Sequence, residues 1–182
     1  EQLYETALLG LRDYLRKTGH DKVLLGLSGG IDSALTLVMA VDALGAGCVK
    51  AFMLPSPYTS QDSLDDAAQL AGNVGVELKS ISIEPAMQAF DAMLAESFQG
   101  LEVDETEENI QSRARGLTLM ALSNKTGALL LTTGNKSEVA VGYATLYGDM
   151  CGALNLIGDL YKTQVFQLSS WRNLQRPATA LG

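Results

Sequence analysis

Val23-Leu24-Leu25-Gly26-Leu27-Ser28-Gly29-Gly30-Ile31-Asp32-Ser33 joins a short apolar run directly to the start of an amphipathic one. Val23 to Leu27 is brief, apolar and bounded by turn signals, which predicts a buried strand. From Ile31 to Leu44 the apolar residues Ile31, Leu35, Val38 and Val41 recur at helical spacing, and Gly45 stands where a helix stop is expected. A strand leading through Gly-Gly into a helix opens a β–α–β unit.

The same alternation continues outward. Val49 to Leu54 predicts a second strand, closed by Pro55-Ser56-Pro57. Ser63 with Asp66 resembles a capping box starting a helix that reaches about Asn73, and Gly75 punctuates its end. Leu78 to Ile83 predicts a third strand, and Pro85 fits the first turn of a helix running to about Phe98. Thr106 to Ser123 predicts a long helix with Ile110, Leu117, Met120 and Ala121 on one face, followed by a strand from Ala128 to Thr133 and a last helix from Asp159 to Ser170. Strands alternating with helices predict an α/β fold, a Rossmann-like doubly wound parallel sheet with helices on both faces. Ligands then bind beyond the carboxyl ends of the strands, so chemistry is expected in the loops after strands 1, 2 and 4.

Composition narrows the function classes. The 182 residues carry 13 Lys+Arg against 21 Asp+Glu, a formal net charge of −8, which disfavours a nucleic-acid partner because phosphate backbones demand clustered cations. The 47% apolar and 19% charged content is that of one ordinary globular domain. No apolar run approaches the ~18 residues of a membrane span. Cys48 and Cys151 show no metal-ligand or disulfide spacing, which suits a reducing compartment, the cytoplasm. The chain starts at Glu1, without an initiator Met, and reads as an excised piece of a longer protein.

The Gly-Gly turn carries the chemistry. Adjacent glycines turn N–H groups into a concavity, and the helix that follows adds its positive dipole end. Ser28 and Ser33 add hydroxyl donors. No Lys follows as in a Walker A loop, and the third Gly of a dinucleotide fingerprint is missing. Asp32 sits where a phosphate would, so it is a candidate Mg²⁺ ligand, a cation being needed between carboxylate and phosphate. As a bland alternative, the loop is a tight turn with a first-turn helix carboxylate.

Ser28-Gly29-Gly30-Ile31-Asp32-Ser33 resembles the signature of the N-type ATP pyrophosphatases, whose fold is of the adenine nucleotide alpha hydrolase type. Glu108-Asn109-Ile110-Gln111-Ser112-Arg113, Thr133-Gly134-Asn135-Lys136-Ser137-Glu138, Thr145-Leu146-Tyr147-Gly148-Asp149-Met150 and Tyr161-Lys162-Thr163 are similar to stretches of the NAD synthetase branch. The resemblance implies an ATP-dependent ligase. The carboxylate of deamido-NAD attacks the α-phosphorus of ATP, pyrophosphate leaves, and ammonia displaces AMP to give NAD.

The resemblance also implies site residues. Gly26, Leu27, Ser28, Gly29, Gly30, Ile31, Asp32 and Ser33 would hold the departing pyrophosphate, with Thr133 and Lys162 also on ATP. Asp32 and Glu138 would share Mg²⁺, so Asp32, Glu138 and Lys162 form the catalytic set. Asn109, Arg113 and Glu138 match positions used for deamido-NAD. Each residue keeps a bland reading: Thr133 as a strand residue, Glu138 as a helix first-turn acid, Lys162 as a snorkelling cation, Asn109 and Arg113 as a solvated or subunit-facing surface.

Lys136 reads as a surface charge, His20 as solvent-exposed, and Met87, Phe90 and Met93 as core. Leu146 and Ala153 stand where the small ammonia-dependent synthetases carry a Lys and an acid, which points to the glutamine-dependent branch. That branch implies a glutaminase domain fused upstream, a C-terminal segment completing the substrate site, and a homo-oligomer paired through the long helix. Another amidotransferase such as a GMP synthetase, or a non-catalytic nucleotide-binding module, stays open at this stage.

Overall fold

The strand Val23–Gly26 (β1) turns Val23 and Leu25 to one side and Leu24 to the other, and all three side chains are completely buried. A strand apolar on both faces belongs inside a sheet covered on both sides. The computed structural model describes residues 1–182 and makes β1 the central strand of five. The order is β3-β2-β1-β4-β5, with β2 at Val49–Met53, β3 at Leu78–Ser80, β4 at Leu129–Thr132 and β5 at Leu154–Asn155. Every pairing is parallel, and Val23 lies opposite both Val49 and Leu129. The chain lays β1 to β3 outward on one side, then returns to place β4 on the other side of β1. The switch point therefore falls between β1 and β4, and the predicted doubly wound α/β architecture holds.

On the face carrying Val23 and Leu25 lie the helices α1 (Gln2–Thr18), α2 (Ile31–Leu44) and α3 (Gln61–Asn73), joined by α7 (Lys162–Leu174). The opposite face, with Leu24, Phe52 and Leu130, is covered by Leu119, Met120 and Leu122 of α5 (Glu105–Thr126). Helix α4 (Glu84–Leu94) packs further out, where Met87 meets Leu54, Ile83 and Ala114. A short α6 (Lys136–Val141) follows β4. No helix is long and apolar enough to cross a membrane.

Several sequence expectations need correction. α1 precedes the first predicted element, and its Tyr4, Leu8, Leu11 and Leu15 form a buried stripe at helical spacing. α3 starts at an N-cap Ser60, whose side chain accepts the Ser63 N–H, rather than at a Ser63–Asp66 box. α4 ends at Leu94, and α7 begins at Lys162 rather than Asp159. On α5 the stripe facing the sheet contains Leu119 and Leu122, while Leu117 is 67% exposed and Ala121 is exposed. That helix carries two apolar stripes, and periodicity does not say which one meets the sheet. Met93 is exposed rather than core, and His20 is half-buried rather than free in solvent.

One buried ionic cluster ties the helices of the first face together. The Asp42 carboxylate, 1% exposed, accepts Tyr4 Oη–H at 2.6 Å, Arg172 Nε–H at 2.7 Å and Arg172 Nη2–H at 2.8 Å. Burial, and then the hydrogen bond to Asp42, push the Tyr4 phenol well above its ordinary range. The same carboxylate raises the Arg172 guanidinium. No buried side-chain nitrogen or oxygen is left without a partner, as a low-dielectric interior requires.

Candidate active site

The turn after β1 is shaped by its contact with the next helix. Gly29 has φ +84°, the left-handed region open to glycine, and a Cβ there would run into the Ser63 carbonyl. α2 then starts at Gly30 with no capping side chain. The first-turn N–H groups of Ile31, Asp32 and Ser33 therefore lack helical partners, at the positive end of the helix. Ser33 Oγ lies 3.1 Å from Ser28 Oγ and donates to Gly30 O at 3.0 Å, which stiffens the turn from within.

Asp32 is the point where three elements meet. Asn135 Nδ2 donates to Asp32 Oδ1 at 3.1 Å, and the Lys162 ammonium forms an ion pair with Asp32 Oδ2. Asn135, fully buried, caps α6 in a reciprocal box: its Oδ1 accepts Glu138 N–H at 3.1 Å, and Glu138 Oε2 accepts Asn135 N–H at 3.0 Å. Lys162 opens α7, and its N–H donates to Ser137 Oγ at 3.0 Å. The ends of β1 and β4, adjacent at the switch point, thus bring together residues more than a hundred positions apart.

Asp32 and Glu138 border a cavity of about 450 Å³ lined also by Ser28, Gly30, Ser33, Thr133 and Gly134, with Tyr143, Asp149, Met150 and Asn155 beyond them, whereas Asn135 and Lys162 stand behind Asp32 and outside that lining. Within the predicted phosphate loop the donors are unequal. Leu27 buries its side chain and gives its N–H to Phe52 O, Ser28 N–H goes to Ser33 Oγ, and Gly30 N–H to Ser28 Oγ. Gly26 belongs to the strand and does not line the cavity. Open donors therefore concentrate at the first turn of α2.

Asn109 and Arg113 lie elsewhere, on α5, where they hold the loop 143–150 that forms the far wall of the cavity. Thr145 Oγ1 donates to Asn109 Oδ1 at 2.9 Å, and Arg113 Nε donates to Leu146 O at 3.2 Å. Asp149 N–H donates to Ser112 Oγ at 3.1 Å. The loop sits so close that a Cβ on Gly116 would lie 2.6 Å from Gly148 O. Arg113 also borders a second, apolar hollow of about 370 Å³ lined by Phe90, Ile110, Leu117, Met120, Tyr147 and Cys151. The three residues expected on deamido-NAD are thus divided, with Glu138 at the first cavity and Asn109 and Arg113 behind the loop.

Asn135, which joins Asp32 to Glu138, is a site residue beyond those expected from the sequence. The signal was present as Asn-Lys-Ser-Glu, an N-cap with a glutamate three residues on. Nowhere do three His, Cys, Asp or Glu side chains gather as a metal cage. Two carboxylates linked through Asn135, Asp32 by its side-chain amide and Glu138 by its backbone N–H, nonetheless suit Mg²⁺ beside a donor-rich turn, since that ion takes one or two protein carboxylates and completes its shell with water and substrate phosphate.

Comparison with known proteins agrees with this geometry. The family model described as NAD synthase matches residues 3–180. A glutamine-dependent NAD(+) synthetase of Rhodobacter capsulatus is 62% identical over 173 residues, covering 95% of this chain and 31% of its own length. The structure of the glutamine-dependent NAD+ synthetase of Acinetobacter baumannii, in complex with adenosine diphosphate, superposes with a TM-score of 0.93 at 49% identity, covering 98% of this chain and 34% of that one. The NH3-dependent NAD synthetase of Campylobacter jejuni superposes with a TM-score of 0.86 at 32% identity, covering 96% of this chain and 73% of that one. The chain thus spans about a third of the length of the curated relatives it matches. Fold, signature turn and sequence kinship converge on one conclusion: this chain belongs to the NAD synthase family.

Proposed function

We propose that residues 1–182 form the ATP-pyrophosphatase and amide-ligase domain of a longer enzyme that converts deamido-NAD to NAD with ATP and ammonia. The observation that carries this reading is the Asp32–Asn135–Lys162 cluster beside the uncapped start of α2, at the switch point of the sheet.

The chemistry asks mainly for positioning, charge neutralisation and exclusion of water. The carboxylate oxygen of deamido-NAD forms a bond to the α-phosphorus of ATP, and the bond to the pyrophosphate oxygen breaks. The N–H groups of Ile31, Asp32 and Ser33, with the Ser28 and Ser33 hydroxyls, hold the departing pyrophosphate. Lys162 exchanges its partner Asp32 for a phosphate oxygen, a role suited to a compact charge on a flexible stem. Thr133, at the cavity wall just past β4, contacts ATP. Asp32 and Glu138 would hold Mg²⁺, which when bound supplies positive charge against the polyphosphate. Asn109 and Arg113 act on deamido-NAD through the loop they support, together with Glu138 at the cavity. Ammonia arrives as a neutral nucleophile and forms the C–N bond as the bond to the AMP oxygen breaks, and the proton it sheds passes to the departing phosphate or to water, so no dedicated general base is required.

The partners follow from the same reading. Relatives named glutamine-dependent are about three times as long as this chain, which supports a fused upstream glutaminase domain as ammonia source and a C-terminal segment at the substrate site. The apolar hollow on α5, with Leu117 exposed on its rim, supports a homodimer paired through that helix. Two unpaired, half-buried cysteines fit the cytoplasm.

The test is pyrophosphate release by the naturally encoded protein. With ATP and magnesium present, release is expected with deamido-NAD plus ammonium, and not with xanthylate plus ammonium. Release only with xanthylate would favour a GMP synthetase, and release with neither a binding module. Asp32→Asn should abolish release while the circular-dichroism spectrum stays unchanged.

A further inference from the structure

The seam between α2 and α7 repeats one pattern on both helices. α2 presents Asp32, Leu35, Met39 and Asp42, and α7 presents Lys162, Val165, Ser169 and Arg172, with the same steps of three, four and three. Those steps are the spacing of residues along the seam of two packed helices. Leu35, Met39 and Val165 are buried in one common core. At the cavity end Lys162 pairs with Asp32, and ten residues further along both helices Arg172 pairs with Asp42. The two helices therefore run parallel, clamped at both ends by ion pairs of the same polarity.

The two clamps differ in stiffness. Lys162 is 40% exposed and holds Asp32 as a point charge on a flexible stem. Arg172 grips a carboxylate that is only 1% exposed through two donors in a planar fork, with Tyr4 fixing that carboxylate from a third direction. The Tyr4 ring also packs on Trp171, with centroids 5.3 Å apart. A helix is rigid over this distance, about 15 Å for ten residues. Slippage of α7 by one residue would shift Lys162 by about 1.5 Å and rotate it by about 100°, taking its amine off Asp32.

We propose that the Asp42–Arg172 pair is a positioning device for the reaction: it sets the register of α7 on α2 and so holds Lys162 over Asp32 and the phosphates. Register selection is the best-attested use of charged groups inside helix seams, where they add little net stability. The catalytic part of the proposal rests on the reading of Lys162 as a phosphate-contacting residue.

The test uses Arg172→Met and Arg172→Lys in the naturally encoded protein, with two readouts. In competitive acylation of amines, followed by peptide mass spectrometry, Lys162 should label about threefold faster relative to the exposed Lys22 and Lys125 once its register is lost. Unchanged Lys162 labelling in both variants overturns the register claim, and this readout needs no activity. For pyrophosphate release, Arg172→Met should lower kcat about tenfold with the KM for deamido-NAD nearly unchanged, and should add no further loss on a Lys162→Met background. Multiplying effects in that double variant would mean a purely structural role and overturn the proposal. Should Arg172→Met fail to fold, Arg172→Lys, which keeps the charge and loses the fork, carries both measurements. A wild type that releases no pyrophosphate would sink the functional reading, while the labelling result would still decide the register.

Discussion

Asn135 gives its Nδ2–H to Asp32 Oδ1 at 3.1 Å while its own Oδ1 receives the Glu138 N–H at 3.1 Å. One buried side chain thus caps α6 and steadies the carboxylate at the head of α2. The coupling exists because β1 and β4 are neighbours, so the loops at their carboxyl ends share a corner.

Replacing Asn135 by Asp separates the two roles. Asp caps helices as well as Asn does, so α6 should persist. The new carboxylate would face Asp32 and lack the donor, a loss of a hydrogen bond to a charged group worth about 1.5–3 kcal/mol, or roughly 10- to 150-fold in rate if it acts wholly on the reaction. Pyrophosphate release should fall within that range. Asn135→Ala should lose the cap as well, lowering stability by about 1 kcal/mol more in a denaturant titration. Wild-type release by Asn135→Asp would show that Asp32 needs no such support.

Gly29 and Gly30 look equivalent in sequence and are not in space. Gly29 is left-handed and faces the Ser63 carbonyl, whereas Gly30 is N-cap with φ −78°, and a Cβ there would meet Ser28 Oγ at 3.4 Å. Gly29→Ala should therefore cost about 2 kcal/mol or more of folding stability, and Gly30→Ala less than about 1 kcal/mol. Urea unfolding of the two variants side by side reads the difference. Equal losses would contradict the packing of the signature turn on α3.

Tyr4 makes stability fall in alkali. Its pKa is raised in the folded chain from an ordinary 10.0, by burial and by the Asp42 carboxylate. A raised pKa contributes stability that is fully present below pH 10.0 and is lost as the unfolded chain releases the proton first. Above that pH the contribution should decline by about 1.4 kcal/mol per pH unit. Tyr4→Phe should be less stable at pH 7, since it removes a hydrogen bond to a buried charge, yet its stability should decline less steeply above pH 10. Parallel alkaline slopes for wild type and variant would refute the link.

The first β–α crossover was legible because all of its determinants are local. Strand, Gly-Gly turn and helix follow one another from Val23 to Leu44, and α2 begins and ends where its residues say. Asp32 stands out from its place in the Gly-Gly turn and Lys162 only through the family resemblance, and the fold brings them into contact. Asn135 and Asp42 were not legible, because their importance comes from partners 103 and 130 residues away. A lone acid late in an amphipathic helix reads as a solvated charge until a second helix is laid against it. Which face of α5 meets the sheet is hidden for a related reason, since Leu117 and Leu119 are equally apolar and only the sheet tells them apart.

Arg113 offers the sharpest division between the two substrates. Its Nε supports Leu146 O, in a loop that also leans on Asn109 and Ser112 and holds Tyr147 at φ +61°. Such a backbone conformation persists only where surroundings impose it. Arg113→Ala should free that wall of the cavity while leaving the turn at Gly29–Ser33 untouched on the opposite side. The KM for deamido-NAD should then rise by about tenfold with the KM for ATP nearly constant, and the fold should lose no more than about 0.5 kcal/mol because the side chain is exposed. Lys at this position should not restore affinity, since its stem carries no N–H at the place of the Nε that holds Leu146 O. A shift confined to ATP saturation would place Arg113 on the wrong substrate, and the loop it carries with it.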